Sequence, residues 1–197
     1  MAKTTEISFI EENLDEIQDQ TAHKTFLGRE FMTWLWYFAE QNEGRFELEL
    51  SDGVKKNAQL WLDDRIVLCS KTGRSHEHII KGGVPSTSDE AGVSLRSGKA
   101  VKELKVAIEV DGLGQYSATL SGDEVTPKGL ILPEPSEQSD QTVLEQRIAS
   151  LTVFNRALDV LFGKFMDDRT SKLWDTAHIN SIRNWIQSRN HDAAIIH

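Results

Sequence analysis

Thr25-Phe-Leu-Gly-Arg-Glu-Phe-Met-Thr-Trp-Leu-Trp-Tyr-Phe-Ala-Glu40 is the stretch whose reading decides the fold. Leu27, Phe31, Trp34, Leu35 and Phe38 recur at the spacing of one helical face, and Asn42 to Gly44 supplies a stop. A core helix is expected there. Trp36 and Tyr37 fall off that stripe together with Arg29 and Thr33, so this second face needs either another layer of the chain or a binding partner.

Downstream the hydrophobic period changes from helical to alternating. In Arg45-Phe-Glu-Leu-Glu-Leu50, Phe46, Leu48 and Leu50 share one side and Glu47 and Glu49 the other, the pattern of a half-buried strand. Leu60 to Leu68 reads as two strands joined at an Asp63-Asp64 turn, and Val101–Val110 with Tyr116–Leu120 as a hairpin closed around Asp111-Gly112. A helical insert is expected at about Asp89 to Ser97, where Thr87 and Glu90 have capping-box spacing and Gly98 stands at the exit.

Upstream, residues 1–24 are acidic with sparse apolar residues and read as a flexible arm. Residues 25–133 form the helix and sheet unit, and the proline-containing polar run at 134–141 is a linker. Residues 142–197 return to helical periodicity. Leu144, Ile148, Leu151, Leu158, Phe162 and Phe165 share a face of a long helix, and Ser171 to Arg189 forms a second helix with Trp174, Ile182, Trp185 and Ile186 apolar. The expected class is α+β: an antiparallel meander sheet with an N-terminal core helix, one inserted crossover helix and a C-terminal helical pair on the same domain.

Composition bounds the function. The chain has 197 residues, 39% hydrophobic and 27% charged, which is ordinary globular usage. No run approaches a membrane span, no export signal is visible, and the single Cys69 lies in an apolar stretch, so a cytoplasmic protein is expected. The net charge of −9 is uneven: residues 1–43 carry nine acids against three bases, while residues 71–105 carry seven bases against four acids. Within that window Lys81, Arg96, Lys99, Lys102 and Lys105 are the candidates for contacting nucleic-acid phosphates. Solvated lysines on an exposed strand produce the same pattern.

Other motifs fall short of chemistry. His76-Glu-His78 offers two imidazoles on one strand face without a third ligand at a recognisable spacing, so no metal is assigned. Lys81-Gly-Gly83 lacks the full pattern of a nucleotide-hydrolysing loop, and no nucleophile sits in a recognisable catalytic motif. No cofactor is expected, and the chain leans toward a non-enzymatic role.

Phe26-Leu-Gly-Arg-Glu-Phe-Met-Thr-Trp-Leu-Trp36 resembles a motif of the bacterial recombination-associated protein RdgC family. The likeness continues in order through Lys81-Gly-Gly-Val-Pro85, Ser97-Gly-Lys-Ala100, Lys128-Gly-Leu-Ile-Leu-Pro133 and Leu161-Phe-Gly-Lys-Phe165 with Arg169, covering about residues 26–175. It is a likeness to the accessory or C-terminal segment of the group rather than to its DNA-encircling part. The resemblance implies a non-enzymatic, DNA-associated role in recombination, replication or repair, since RdgC proteins bind double-stranded DNA, form ring-like dimers and restrain a recombinase. Its implied partners are double-stranded DNA, a recombination protein and a second copy of the chain, with nucleoid association if DNA is bound. No DNA-contact residue of the family carries over, and the basic candidates rest on charge pattern alone. The alternative is a protein-interaction module using Arg29, Thr33, Trp36 and Tyr37, with no direct DNA contact.

Overall fold

The computed structural model describes residues 28–70, 77–83, 88–135 and 140–189. In order these form α1 (Gly28–Glu40), β1 (Arg45–Glu49), β2 (Lys55–Cys69), β3 (His78–Lys81), α2 (Asp89–Arg96), β4 (Ala100–Val110), β5 (Gly114–Ser121), β6 (Glu124–Ile131), α3 (Asp140–Thr170) and α4 (Ile179–Ser188). The expected acidic arm, Leu27, His76 and Thr87 lie outside the described residues.

The strands make one six-stranded antiparallel sheet in the order β1-β2-β4-β5-β6, with β3 paired to the same edge of β2 beyond β1. Alternation sorts its two faces. Phe46, Leu60, Ile66, Leu104, Val106, Ile108, Tyr116 and Leu120 are buried and point to the helical side. On the other side Gln59 faces Glu109, Trp61 faces Ala107, and Lys105 faces Thr119. The α+β class, the N-terminal core helix, the inserted helix and the C-terminal helical pair are all present.

Three local expectations need correcting. Leu60 to Leu68 is not a hairpin but the middle of one 15-residue strand. The register steps from Leu62↔Val106 to Ile66↔Leu104, so Asp63, Asp64 and Arg65 oppose the single residue Lys105 in a bulge. Lys105 Nζ lies 3.0 Å from a carboxylate oxygen of each aspartate, and that shared cation lets the acidic pair stay within the strand.

The second correction is at α2, where the cap is Ser88 rather than Thr87. Its hydroxyl accepts from the Ala91 backbone N–H at 3.1 Å. Gly98 does stand at the exit, with φ +83°, donating to the Leu95 carbonyl at 3.0 Å.

The third concerns the C-terminal helices. Helix α3 already begins at Asp140, and its buried stripe is Phe154, Ala157, Leu161 and Phe165, whereas Leu144, Ile148 and Leu151 are 60%, 57% and 41% exposed. The expected common face therefore joins the core only at its C-terminal end. The second helix is also shorter than the apolar pattern suggests: a turn at Ser171 and one π turn, Trp174–His178, precede α4.

Helix α1 is wrapped on several sides. Phe31, Met32, Leu35 and Trp36 are wholly buried, with Phe31 edge-on to Phe162 and Phe165 of α3. Trp34 Nε1 donates to Asp168 Oδ2 of α3 at 2.9 Å. Trp36 Nε1 and Trp185 Nε1 donate to the two carboxylate oxygens of Glu40 at 2.7 and 2.8 Å, and Arg189, also bonded to Glu40, lies 4.6 Å above the Trp36 ring. One carboxylate thus satisfies two buried indoles and locks α4 against α1.

Candidate functional site

The basic candidates do not form one stripe. Lys105 projects on the far face of the sheet and is held by Asp63 and Asp64. Lys102 pairs with Glu77. Hydrogen bonds to these carboxylates hold both ammonium groups above the ordinary lysine range. A cation already matched by acids adds little to a phosphate-attracting field. Lys81 is exposed at the end of β3, and Arg96 is exposed in the last turn of α2. Lys99 lies elsewhere again, on the helical side of the sheet.

The partner-face candidates divide as well. Trp36 is fully buried beneath Trp185 and Arg189, so it is core and unavailable to a partner. Tyr37 is half-buried, edge-on to Trp185. The Trp36 and Tyr37 end of that face of α1 is therefore covered by the chain's own α4. Arg29 Nε and Nη2 donate to Asp123 at 3.2 and 3.3 Å, which raises the guanidinium pKa, and Thr33 Oγ1 donates to the Arg29 carbonyl at 3.0 Å.

The tertiary structure does bring together three residues from the two separate candidate sets. Arg29, Thr33 and Lys99 line a cavity of about 280 Å³ between α1, the exit of α2 and α4, whose walls are otherwise largely apolar.

A second surface was invisible as a surface in the sequence. Along α3, Leu144, Ile148, Leu151, Asn155, Leu158 and Phe162 alternate spacings of four and three residues, the heptad seam of a helix that packs along another helix. Leu158 and Phe162 pack against the core, while Leu144, Ile148 and Leu151 are exposed and Asn155 is the single polar residue of the seam. Just C-terminal to the exposed part, the helix is fixed to the sheet by Phe154, stacked 6.4 Å from Tyr116, and by Arg156 Nε donating to the Glu49 carbonyl at 3.2 Å. The exposed part of the seam runs about 17 Å from Leu144 to Asn155 and is continuous with that anchored end of the helix. Its signal in the sequence was the 3.5-residue period, slightly shorter than that of a helix buried on one face.

Among the described residues, no group of three or more His, Cys, Asp or Glu side chains is placed to hold a metal ion, and no helix is long and apolar enough to cross a membrane. No protein-family model, curated protein or solved structure matches the chain.

Proposed function

We propose that the chain is a non-enzymatic interaction protein of the DNA recombination or repair context, engaging a protein partner rather than DNA itself. The context rests on the resemblance to the RdgC family alone. The mode of contact is carried by one observation: the exposed seam Leu144, Ile148 and Leu151 on an anchored helix. Three large apolar residues exposed in one line on a single helix favour burial against a complementary element. The heptad spacing selects an amphipathic helix as that element, with a hydrogen-bonding side chain opposite Asn155. The partner is an apolar-seamed helix of a recombination or repair protein.

Direct duplex binding is the second reading. It is favoured by Lys81 and Arg96, which are exposed and form no ion pair among the described residues.

Both readings are separated by one pair of variants. A seam variant carries Leu144→Glu, Ile148→Glu and Leu151→Glu; a basic variant carries Lys81→Glu and Arg96→Glu. Photocrosslinking from position 148 in cells should trap a recombination or repair protein whose association the seam variant loses and the basic variant keeps. Purified protein should leave a fluorescent duplex free at low and at near-physiological salt. Salt-sensitive duplex binding abolished by the basic variant alone overturns the protein-contact reading in favour of DNA. A crosslink only to a second copy, with a doubled mass by light scattering, replaces the heterologous partner with self-association.

A further inference from the structure

The cavity between α1, the exit of α2 and α4 takes no part in the reading above, and its lining combines two features that belong together in a ligand site. Its walls are Leu95 of α2, Trp174 of the π turn, and Ile179, Ile182 and Ile186 of α4. Leu95 and Trp174 are buried, while the three isoleucines are packed only partly against the core, with their remaining surface lining the cavity. A space of about 280 Å³ walled this way favours an apolar body of modest size.

The charges around it are unevenly matched. Glu30 and Arg29 also line the cavity, but Arg169 Nε lies 3.1 Å from Glu30 Oε2, and Arg29 is bonded to Asp123. Lys99 and Arg183 line it without an ion pair among the described residues. The carbonyls at the end of α2 do not oppose an anion freely either. Val93, Leu95 and Ser94 accept from the Ser97, Gly98 and Lys99 backbone N–H groups at 2.9, 3.0 and 3.2 Å.

We propose that this cavity binds a small organic anion with an apolar body, a medium-chain monocarboxylate being the simplest member of the class. The chain lies along Ile182 and Ile186, and the carboxylate sits between Lys99 and Arg183. Burial of the apolar body supplies the affinity, and the two cations select the charged head.

The test uses decanoate and decanol as probes, followed by calorimetry and by the fluorescence of Trp174 and the other tryptophans. Wild-type protein should bind decanoate saturably with one equivalent. The double variant Lys99→Gln/Arg183→Gln, altered at a half-buried and an exposed side chain, should bind decanoate roughly tenfold more weakly and decanol as the wild type does. Ile182→Trp, which fills the space, should remove both, and the seam variant of α3 should leave both unchanged. Absence of saturable decanoate binding, as a cavity already filled by another segment or partner would give, overturns the proposal. So does decanoate binding that neither the charge variant nor Ile182→Trp weakens. If Ile182→Trp does not fold, the contrast between decanoate and decanol in the charge variant decides alone.

Discussion

Gly44 and Tyr116 show how single residues set the limits of this fold. Gly44 leaves the turn after α1 with φ +64°, and a Cβ there would collide with the Leu60 carbonyl oxygen. Gly44→Ala combines left-handed backbone strain with a clash against the backbone of β2, and should cost about 3 kcal/mol in urea unfolding. Burial pushes the Tyr116 phenol above its ordinary pKa, and a hydrogen bond with Ser150 offsets only part of that. Because the folded value exceeds the unfolded one, the contribution is fully present below about pH 10 and is lost as pH rises through the folded value. Tyr116→Phe should therefore flatten the alkaline loss of stability while costing about 1 kcal/mol at neutral pH for the missing hydrogen bond. Urea midpoints measured at pH 7, 9 and 10.5 check both effects.

At the level of the element, α3 carries two faces with opposite energetics. Phe154 is wholly buried against Tyr116, so Phe154→Ala should cost about 3–5 kcal/mol. Ile148, six residues earlier and 57% exposed, should tolerate glutamate within about 0.5 kcal/mol. Equal losses from the two substitutions in denaturant titrations would mean that the seam is already buried. The sequence displayed the periodicity of α3 but not which stripe faces the sheet. Leu144, Ile148 and Leu151 are as apolar as Phe154 and Leu161, and only the docking of the helix on β5 and α1 distinguishes them. The insertion of Asp63 and Asp64 into β2 was hidden for a related reason. Two adjacent aspartates look like a turn until Lys105 from another strand is placed between them.

Over the whole molecule, the contact that closes the structure is Glu40, which joins Trp36 of α1 to Trp185 and Arg189 beside α4. Glu40→Ala leaves two buried indole N–H groups and a largely buried guanidinium without that acceptor, and should cost roughly 2–4 kcal/mol. The loss should be local first: amide exchange across Ile179–Ser188 should accelerate before exchange in β4, as measured by hydrogen–deuterium mass spectrometry. Loosening α4 should also open the cavity lined by Ile182 and Ile186. The sequence by itself determined the fold class, because the helical stripe at Phe31 to Phe38, the alternation at Phe46 to Leu50 and the paired strands around Asp111-Gly112 are local periodicities with one compatible layering. Only the tertiary structure decided that Trp36 is core, that Lys102 and Lys105 are matched by acids, and that Arg29, Thr33 and Lys99 share a cavity. Burial and charge pairing depend on residues far apart in the chain, and no local pattern encodes which of them will meet.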